Sequence, residues 1–557
     1  MKISYKLAIS AALFLGAAPQ FCSSATTTLI DNVNGYTLNA RGDLLRFDAI
    51  AFSADGKIIA TGKRADVAAK ALEATHIDGR GRTMLPGLID AHGHVIGQGQ
   101  ALTSLDLRET TSLTHAQATI ADYARRYPLS SWIRGRGWNQ VVWKLDRFPT
   151  AAELDVAISD RPVWLRRIDG HAGWANSKAL ALAGITRDSK DPQGGKIERD
   201  ANGNPNGVFI DAAMNLVERV IPSVSTDENR IALDAVLAHL REVGLTSVHD
   251  MGVSVGDDRL FREYADKGTL TTRIYGAISG VTADFDALSS KGPLPSYGND
   301  FYALRAVKLY ADGALGSRGA ALLEPYTDMP GSKGLLFKSD TAITSDIEKA
   351  MSRGYQVAVH AIGDAANRQI LDAYATLAKK YPVAEARHRI EHAQVAALVD
   401  IPRFKALGVI PSMQPTHATS DMNMAEDRVG HERIKGAYAW RQFLVNGSPL
   451  ACGSDFPVEY ANPFLGLHAA VTREDNKGEP VGGWYPNEEL SLKEAFRCFT
   501  LGAAYAARQE ATLGSLEPGK WADFILIDQD LFRMSPRQIF KVKVLETWTA
   551  GRRVFAR

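Results

Sequence analysis

The stretch Leu85-Pro86-Gly87-Leu88-Ile89-Asp90-Ala91-His92-Gly93-His94 decides how this chain is read. An apolar run ends in His-x-His. In a strand, residues i and i+2 face the same way, about 7 Å apart along the chain, so the two imidazoles can converge on one ion. One His-x-His is weak evidence. It gains weight from residues in the same setting downstream. Lys308 follows Leu304-Arg305-Ala306-Val307, and His360 follows Tyr355-Gln356-Val357-Ala358-Val359. His392 follows Arg389-Ile390-Glu391, and Asp455 closes Ala451-Cys452-Gly453-Ser454-Asp455. Four histidines, a lysine and an aspartate at the ends of apolar runs point to a metal-dependent hydrolase.

Each residue has a plainer reading. A single histidine beside a β-rich run is more often a satisfied core residue than a ligand. Several neutral imidazoles from separate strands are what a metal centre needs. Asp455 can bind a metal and accept a proton from an activated water, or simply open an Asx-turn. A lysine inside an apolar strand is costly unless paired or modified. Lys308 can therefore be a nucleophile or take up carbon dioxide as a carbamate, or its amine can reach the rim. His249 ends another strand, where Asp250 beside it makes a local structural role as plausible as a functional one.

Around these residues, strand-like runs alternate with helical patterns such as Ala365 to Lys380 and Asp227 to Val243. That alternation predicts a parallel sheet covered by helices, a (β/α)8 barrel with its site at the C-terminal mouth. The barrel is expected over 85–505. Residues 26–84 and 506–557 show short β-type segments split by Asn34-Gly35, Arg41-Gly42 and Asp55-Gly56, and neither is long enough for a core alone. The two ends are expected to pair into one small sheet domain. An insertion over about 106–240, after the first barrel strand, carries helical patterns at Thr114 to Tyr127 and from Thr150, where Thr150-Ala151-Ala152-Glu153 fits a capping box. It is rich in tryptophan, with Trp132, Trp138, Trp143, Trp164 and Trp174. Trp138 and its neighbours are expected to wall a substrate pocket, with core packing the equal alternative.

The 557 residues are 45% hydrophobic and 23% charged, with a formal net charge of +1. No global field favours nucleic acid or an anionic membrane. Lys2 and Lys6 precede an apolar run, Leu7 to Ala18, too short to span a bilayer, and Ser23-Ser24-Ala25 offers a cleavage site. Residues 1–25 thus read as a signal peptide, which predicts a periplasmic or secreted protein with no stable membrane anchor after its removal. Of three cysteines, Cys22 leaves with the signal. Cys452 and Cys498, both in apolar contexts, are expected to be buried free thiols. A homodimer is the default expectation for a soluble enzyme.

With these motifs in hand, the chain resembles the amidohydrolase superfamily, and within it the branch of N-substituted formamide deformylases and related exported hydrolases. The likeness is carried by the His92/His94 segment, Asp169-Gly170-His171-Ala172-Gly173-Trp174, Lys308 to Arg318, His360-Ala361-Ile362-Gly363-Asp364, Glu391-His392-Ala393-Gln394, Gly453 to Pro457 and Gly514 to Asp523. The resemblance implies a deformed (β/α)8 TIM barrel with a β-sandwich made from both chain ends. It implies one or two divalent ions per chain, with zinc the expected ion. His92 and His94 would hold one ion, His360 and His392 a second, with carboxylated Lys308 as the bridge and Asp455 as ligand and general base. His171 becomes a candidate substrate contact. The implied reaction is hydrolysis of an amide or related C–N bond of a small molecule by metal-activated water. The competing readings are lactone or ester hydrolysis, deamination on the same site, and an exported regulatory protein that keeps the fold without turnover.

Overall fold

The computed structural model describes residues 27–557 except 129, 141, 168–171, 193, 194, 223 and 317. The expected signal peptide and His171 lie outside the described residues. Eight parallel strands make the barrel: β1 Leu88–Gly93, β2 Leu245–Val253, β3 Arg273–Ser279, β4 Tyr302–Tyr310, β5 Gln356–Ala361, β6 Arg389–His392, β7 Ile410–Met413 and β8 Ala451–Cys452. Each pairs with the next in chain order. They read as near-continuous apolar runs because helices cover the outside while side chains fill the inside. In β2, eight of the nine residues of Leu-Thr-Ser-Val-His-Asp-Met-Gly-Val are buried.

The barrel closes just past its strands. Gly93 bridges Phe456 in parallel, the Asp455 N–H donates to the His92 carbonyl at 2.7 Å, and the His94 N–H donates to the Phe456 carbonyl at 2.9 Å. Two glycines make this seam possible. A Cβ on Gly93 would stand 2.4 Å from the Phe456 ring, and one on Gly453 would stand 2.4 Å from the His92 nitrogen.

Both chain ends build one eight-stranded sheet, the expected sandwich-type domain. The strand Thr28–Leu38 pairs along one edge with Leu44–Phe52. Along its other edge it changes partner, from Thr75–Asp78 to Thr83–Pro86. The C-terminal strand Phe524–Ile527 joins this sheet against Thr83–Pro86, and their shared core contains Ile30, Phe47, Met84, Phe524 and Trp548.

The insertion holds the two expected helices, Leu113–Arg126 and Ala151–Ala157, the second with its capping box between Thr150 and Glu153. It also holds a six-stranded sheet with Leu105–Asp106 at one edge and Gly195–Arg199 at the other. Here the reading of Trp138 needs correction. Trp138 and Trp174 are 0% exposed, and Trp143 and Trp164 are nearly so. The Trp138 indole donates to the Leu165 carbonyl at 2.8 Å, and its ring meets Trp174 edge-on. These residues fill the insertion's own core and leave no face for a substrate.

The cysteines need a second correction. Cys452 and Cys498 form a disulfide. Cys498 opens a π-helical turn, Cys498–Gly502, which packs against β8 and β1. A bridge across 46 residues stabilises a fold by about 2–4 kcal/mol, chiefly by restricting the unfolded chain. Reduction under native conditions is expected to lower the urea midpoint by a corresponding amount; an unchanged midpoint would show the bridge to be energetically idle.

Candidate metal centre

The candidate residues converge at the C-terminal mouth of the barrel. His92 ends β1, and its ring lies 5.7 Å from that of His94 and 4.9 Å from that of His392, centroid to centroid. His360, on β5, stands 4.6 Å from the His392 ring. Asp455 reaches in from the loop after β8. Its Oδ1 lies 3.4 Å from His92 Nε2 and 3.2 Å from His94 Nε2. The Lys308 amine lies 3.2 Å from His92 Nε2. His392 and Asp455 both adopt left-handed backbone, with φ of 72° and 62°. Such a conformation costs about 1–3 kcal/mol per residue and persists only where the surroundings enforce it. Here it turns each residue out of its strand direction at the mouth.

One member was missed in the sequence. His417 stacks on His392, with ring centroids 5.7 Å apart, and its Nε2 faces Asp455 Oδ2 at 3.8 Å. Two triads have ligand atoms within 4.8 Å of one another, namely His92, His94 and Asp455, and His392, His417 and Asp455. Asp455 is common to both. His360 stands beside the second triad rather than in it, its Nε2 3.5 Å from Asp312 Oδ1. His249 does not join the centre; its Nδ1 meets the Arg389 guanidinium at 2.8 Å.

A supporting layer orients the ligand atoms. His92 Nδ1 lies 2.6 Å from Glu391 Oε2. An ionised carboxylate only accepts, so Nδ1 carries the proton and the Nε2 lone pair faces the mouth. Arg389 holds Glu391 through two contacts, at 2.7 and 3.0 Å. His392 Nδ1 similarly meets Gln414 Oε1 at 2.7 Å, and the Gln414 amide is fixed by donating to the Ser412 carbonyl. Asp312 accepts from the backbone N–H groups of Ala321, Ile362 and Gly363, which ties together the loops after β4 and β5.

Burial sets the charge states. It pushes the His92 pKa down to about 4 and that of His360 down to about 3, with the Lys308 amine adding to both. His392 lies well below the ordinary histidine range, first through burial and then through its histidine neighbours. Burial also lowers Lys308 to about 8. Burial alone would raise Asp455, but the imidazoles of His92, His94 and His417 outweigh it and hold the carboxyl below the usual range. Neutral imidazoles and an ionised carboxylate are the forms that bind a cation.

The donor set fits a divalent ion. His360 Nε2 and His417 Nε2 are buried with no hydrogen-bond partner, a state that native structures seldom tolerate without a reason. Nitrogen and oxygen donors without thiolate suit a catalytic rather than a structural centre. A barrel with such a donor set at its mouth defines a metal-dependent hydrolase. The chain belongs to the amidohydrolase family, whose model matches residues 75–555. It is 34% identical to the Bacillus subtilis (strain 168) protein YtcJ, named as an amidohydrolase, over 93% of this chain and 98% of that one. It is 28% identical to the N-substituted formamide deformylase of Arthrobacter pascens, over 94% and 97% of the two chains. The crystal structure of a metal-dependent hydrolase from Pyrococcus horikoshii OT3 superposes with a TM-score of 0.77 at 27% identity, covering 92% of this chain and 99% of that one.

Gln414 touches the centre only through His392. Its replacement by alanine is expected to weaken ion affinity by about 10–100-fold, the usual loss when an outer partner of a ligating histidine is removed. Competition with a calibrated chelator would measure it, and unaltered affinity would exclude His392 as a ligand.

Proposed function

We propose that the protein hydrolyses an amide or related C–N bond of a small molecule, with Asp455 as the general base. The observation that carries this reading is the position of Asp455. One carboxylate faces His92 and His94 through Oδ1 and His417 through Oδ2, so it can exchange a proton at the point where both triads meet. His92, His94, His392, His417 and Asp455 would hold one or two divalent ions, zinc being the expected one, with His360 alongside and carboxylated Lys308 as the bridge. When bound, such an ion supplies Lewis acidity for the carbonyl and lowers the pKa of water.

The chain's own part is proton movement and orientation. Asp455 takes a proton from the attacking water and returns it to the leaving nitrogen, so that one carboxylate serves as base and then as acid. Glu391 and Gln414 keep the two imidazoles from turning. The deformylase relative acts, by its name, on an N-substituted formamide, which favours a C–N bond here over an ester or lactone. The Cys452–Cys498 bridge supports residence in an oxidising compartment, in keeping with a periplasmic or secreted protein.

Ion-loaded protein is expected to turn over N-substituted formamides or simple acyl amides and to lose activity on chelation. Turnover of esters or lactones with none of amides would overturn the bond assignment. Asp455→Asn is expected to keep ion content by elemental analysis but to lose about 10²–10⁴-fold in kcat; equal turnover would remove Asp455 as base.

Carbamate formation consumes the neutral Lys308 amine and releases a proton. With its pKa lowered to about 8, the neutral fraction grows as pH rises through that value. Ion content in bicarbonate buffer is therefore expected to rise between about pH 7 and 9, and Lys308→Ala should abolish the rise. A flat profile in the wild type would remove the bridging role.

A further inference from the structure

A cleft of about 400 Å³ lies between the insertion and the barrel and shares no lining residue with the metal centre. We propose that it is a second ligand site, built for a small aromatic monocarboxylate.

One wall is cationic. Arg134 and Arg136 lie two apart on the strand Ile133–Trp138 and so project to one side. Arg166, on the neighbouring strand, is in register with Arg136. Two of the three guanidiniums are neutralised. Arg134 donates to Glu228 at 3.0 Å, and Arg166 pairs with Glu218 at 2.6 Å. Arg136 is exposed, and among the described residues its guanidinium makes no hydrogen bond or ion pair. Its nearest acidic neighbour along the sheet, Asp106, is already held by Arg108. Three cations against two carboxylates leave one positive charge, which matches a single carboxylate better than a phosphate dianion.

The other wall is aromatic. Tyr123 and Tyr127 stand one helical turn apart with ring centroids 4.7 Å from each other. Tyr123 is fixed by donating its hydroxyl to the Thr103 carbonyl at 2.7 Å. Trp132, just before the arginine-bearing strand and 6% exposed, also borders the cleft. A flat apolar group of the ligand can lie against these rings while its carboxylate meets Arg136 in the two-point fashion that guanidinium favours. The volume falls within the range of small-molecule sites.

The cleft stands apart from the reaction centre. The helix Val95–Thr103 has His94 at its N-cap, while Thr103 and Ser104 at its far end line the cleft. Gln100, the lining residue nearest His94 along this helix, is six residues on, about 9 Å along the axis. Binding here should not depend on the bound ion.

Calorimetric titration of the full-length protein with 3-phenylpropionate tests this, using ion-loaded and chelated samples. Saturable one-site binding is expected in both. Arg136→Ala should weaken it at least tenfold, as befits loss of a charge-assisted pair, and Tyr127→Ala should weaken it measurably. Both variants should keep the basal hydrolytic activity and the thermal midpoint, since neither residue touches the centre or a core. No saturable binding up to about 10 mM, a level weaker than ordinary ligand sites, would overturn the proposal. So would equal affinity in Arg136→Ala, loss of binding on chelation, or tighter binding of adenosine monophosphate than of the monocarboxylate.

Discussion

The carboxyl of Asp90 joins the first and last strands of the barrel. It accepts from the Ser454 hydroxyl at 2.7 Å, from the Ser454 N–H at 3.0 Å and from the His92 N–H at 3.0 Å. Burial pushes its pKa up to about 7, with Ser454 opposing. The same contacts hold His92 and His94 on one side and Asp455 on the other in register. β8 is only two residues long, so little ladder pairing secures it. The side-chain clamp, the glycines at 93 and 453 and the backbone bonds to Phe456 replace the missing ladder. Everything at the mouth is positioned relative to this seam.

Preorganisation extends outward in layers. Ligand atoms face the mouth, a carboxylate and an amide fix two of the imidazoles, and Arg389 anchors the carboxylate while also contacting His249, Ser412 and the Ala91 carbonyl. A fully buried arginine is tolerable because each of these partners accepts or shares its protons. Burial keeps His92, His360 and His392 neutral at physiological pH without a bound ion, so these three imidazoles need release no proton on loading.

Much of this was legible in the sequence because five of the eight barrel strands carry a ligand-type residue at or just past their C-terminal ends. His92, His94, Lys308, His360, His392 and Asp455 all lie at or near strand ends. His417 escaped because it sits four residues beyond β7, within the helix Pro415–Asp421, where strand-end reasoning does not look. Cys452 and Cys498 looked like isolated apolar cysteines; only the packing of the π-helical turn on β8 brings them together. Trp138 misled because a tryptophan in a core and one in a pocket wall have the same sequence context. The insertion's sheet was invisible for a related reason. Its strand Ile133-Arg134-Gly135-Arg136-Gly137-Trp138 carries two glycines and two arginines, which suppress the alternation that marks a strand.

The pairing of Thr83–Pro86 with Phe524–Ile527 sets a clock on biosynthesis. Leu85 meets Ile525, a partner made about 440 residues later. At the usual 5–20 residues per second, the first strands wait roughly 20–90 s for it. Through that interval the edge of Thr83–Pro86 offers unpaired backbone groups to any neighbouring chain. The strand directly before the His92/His94 segment is therefore among the last to find its permanent partner. Whatever keeps the young chain from sticking to itself must cover that edge until the final strands arrive.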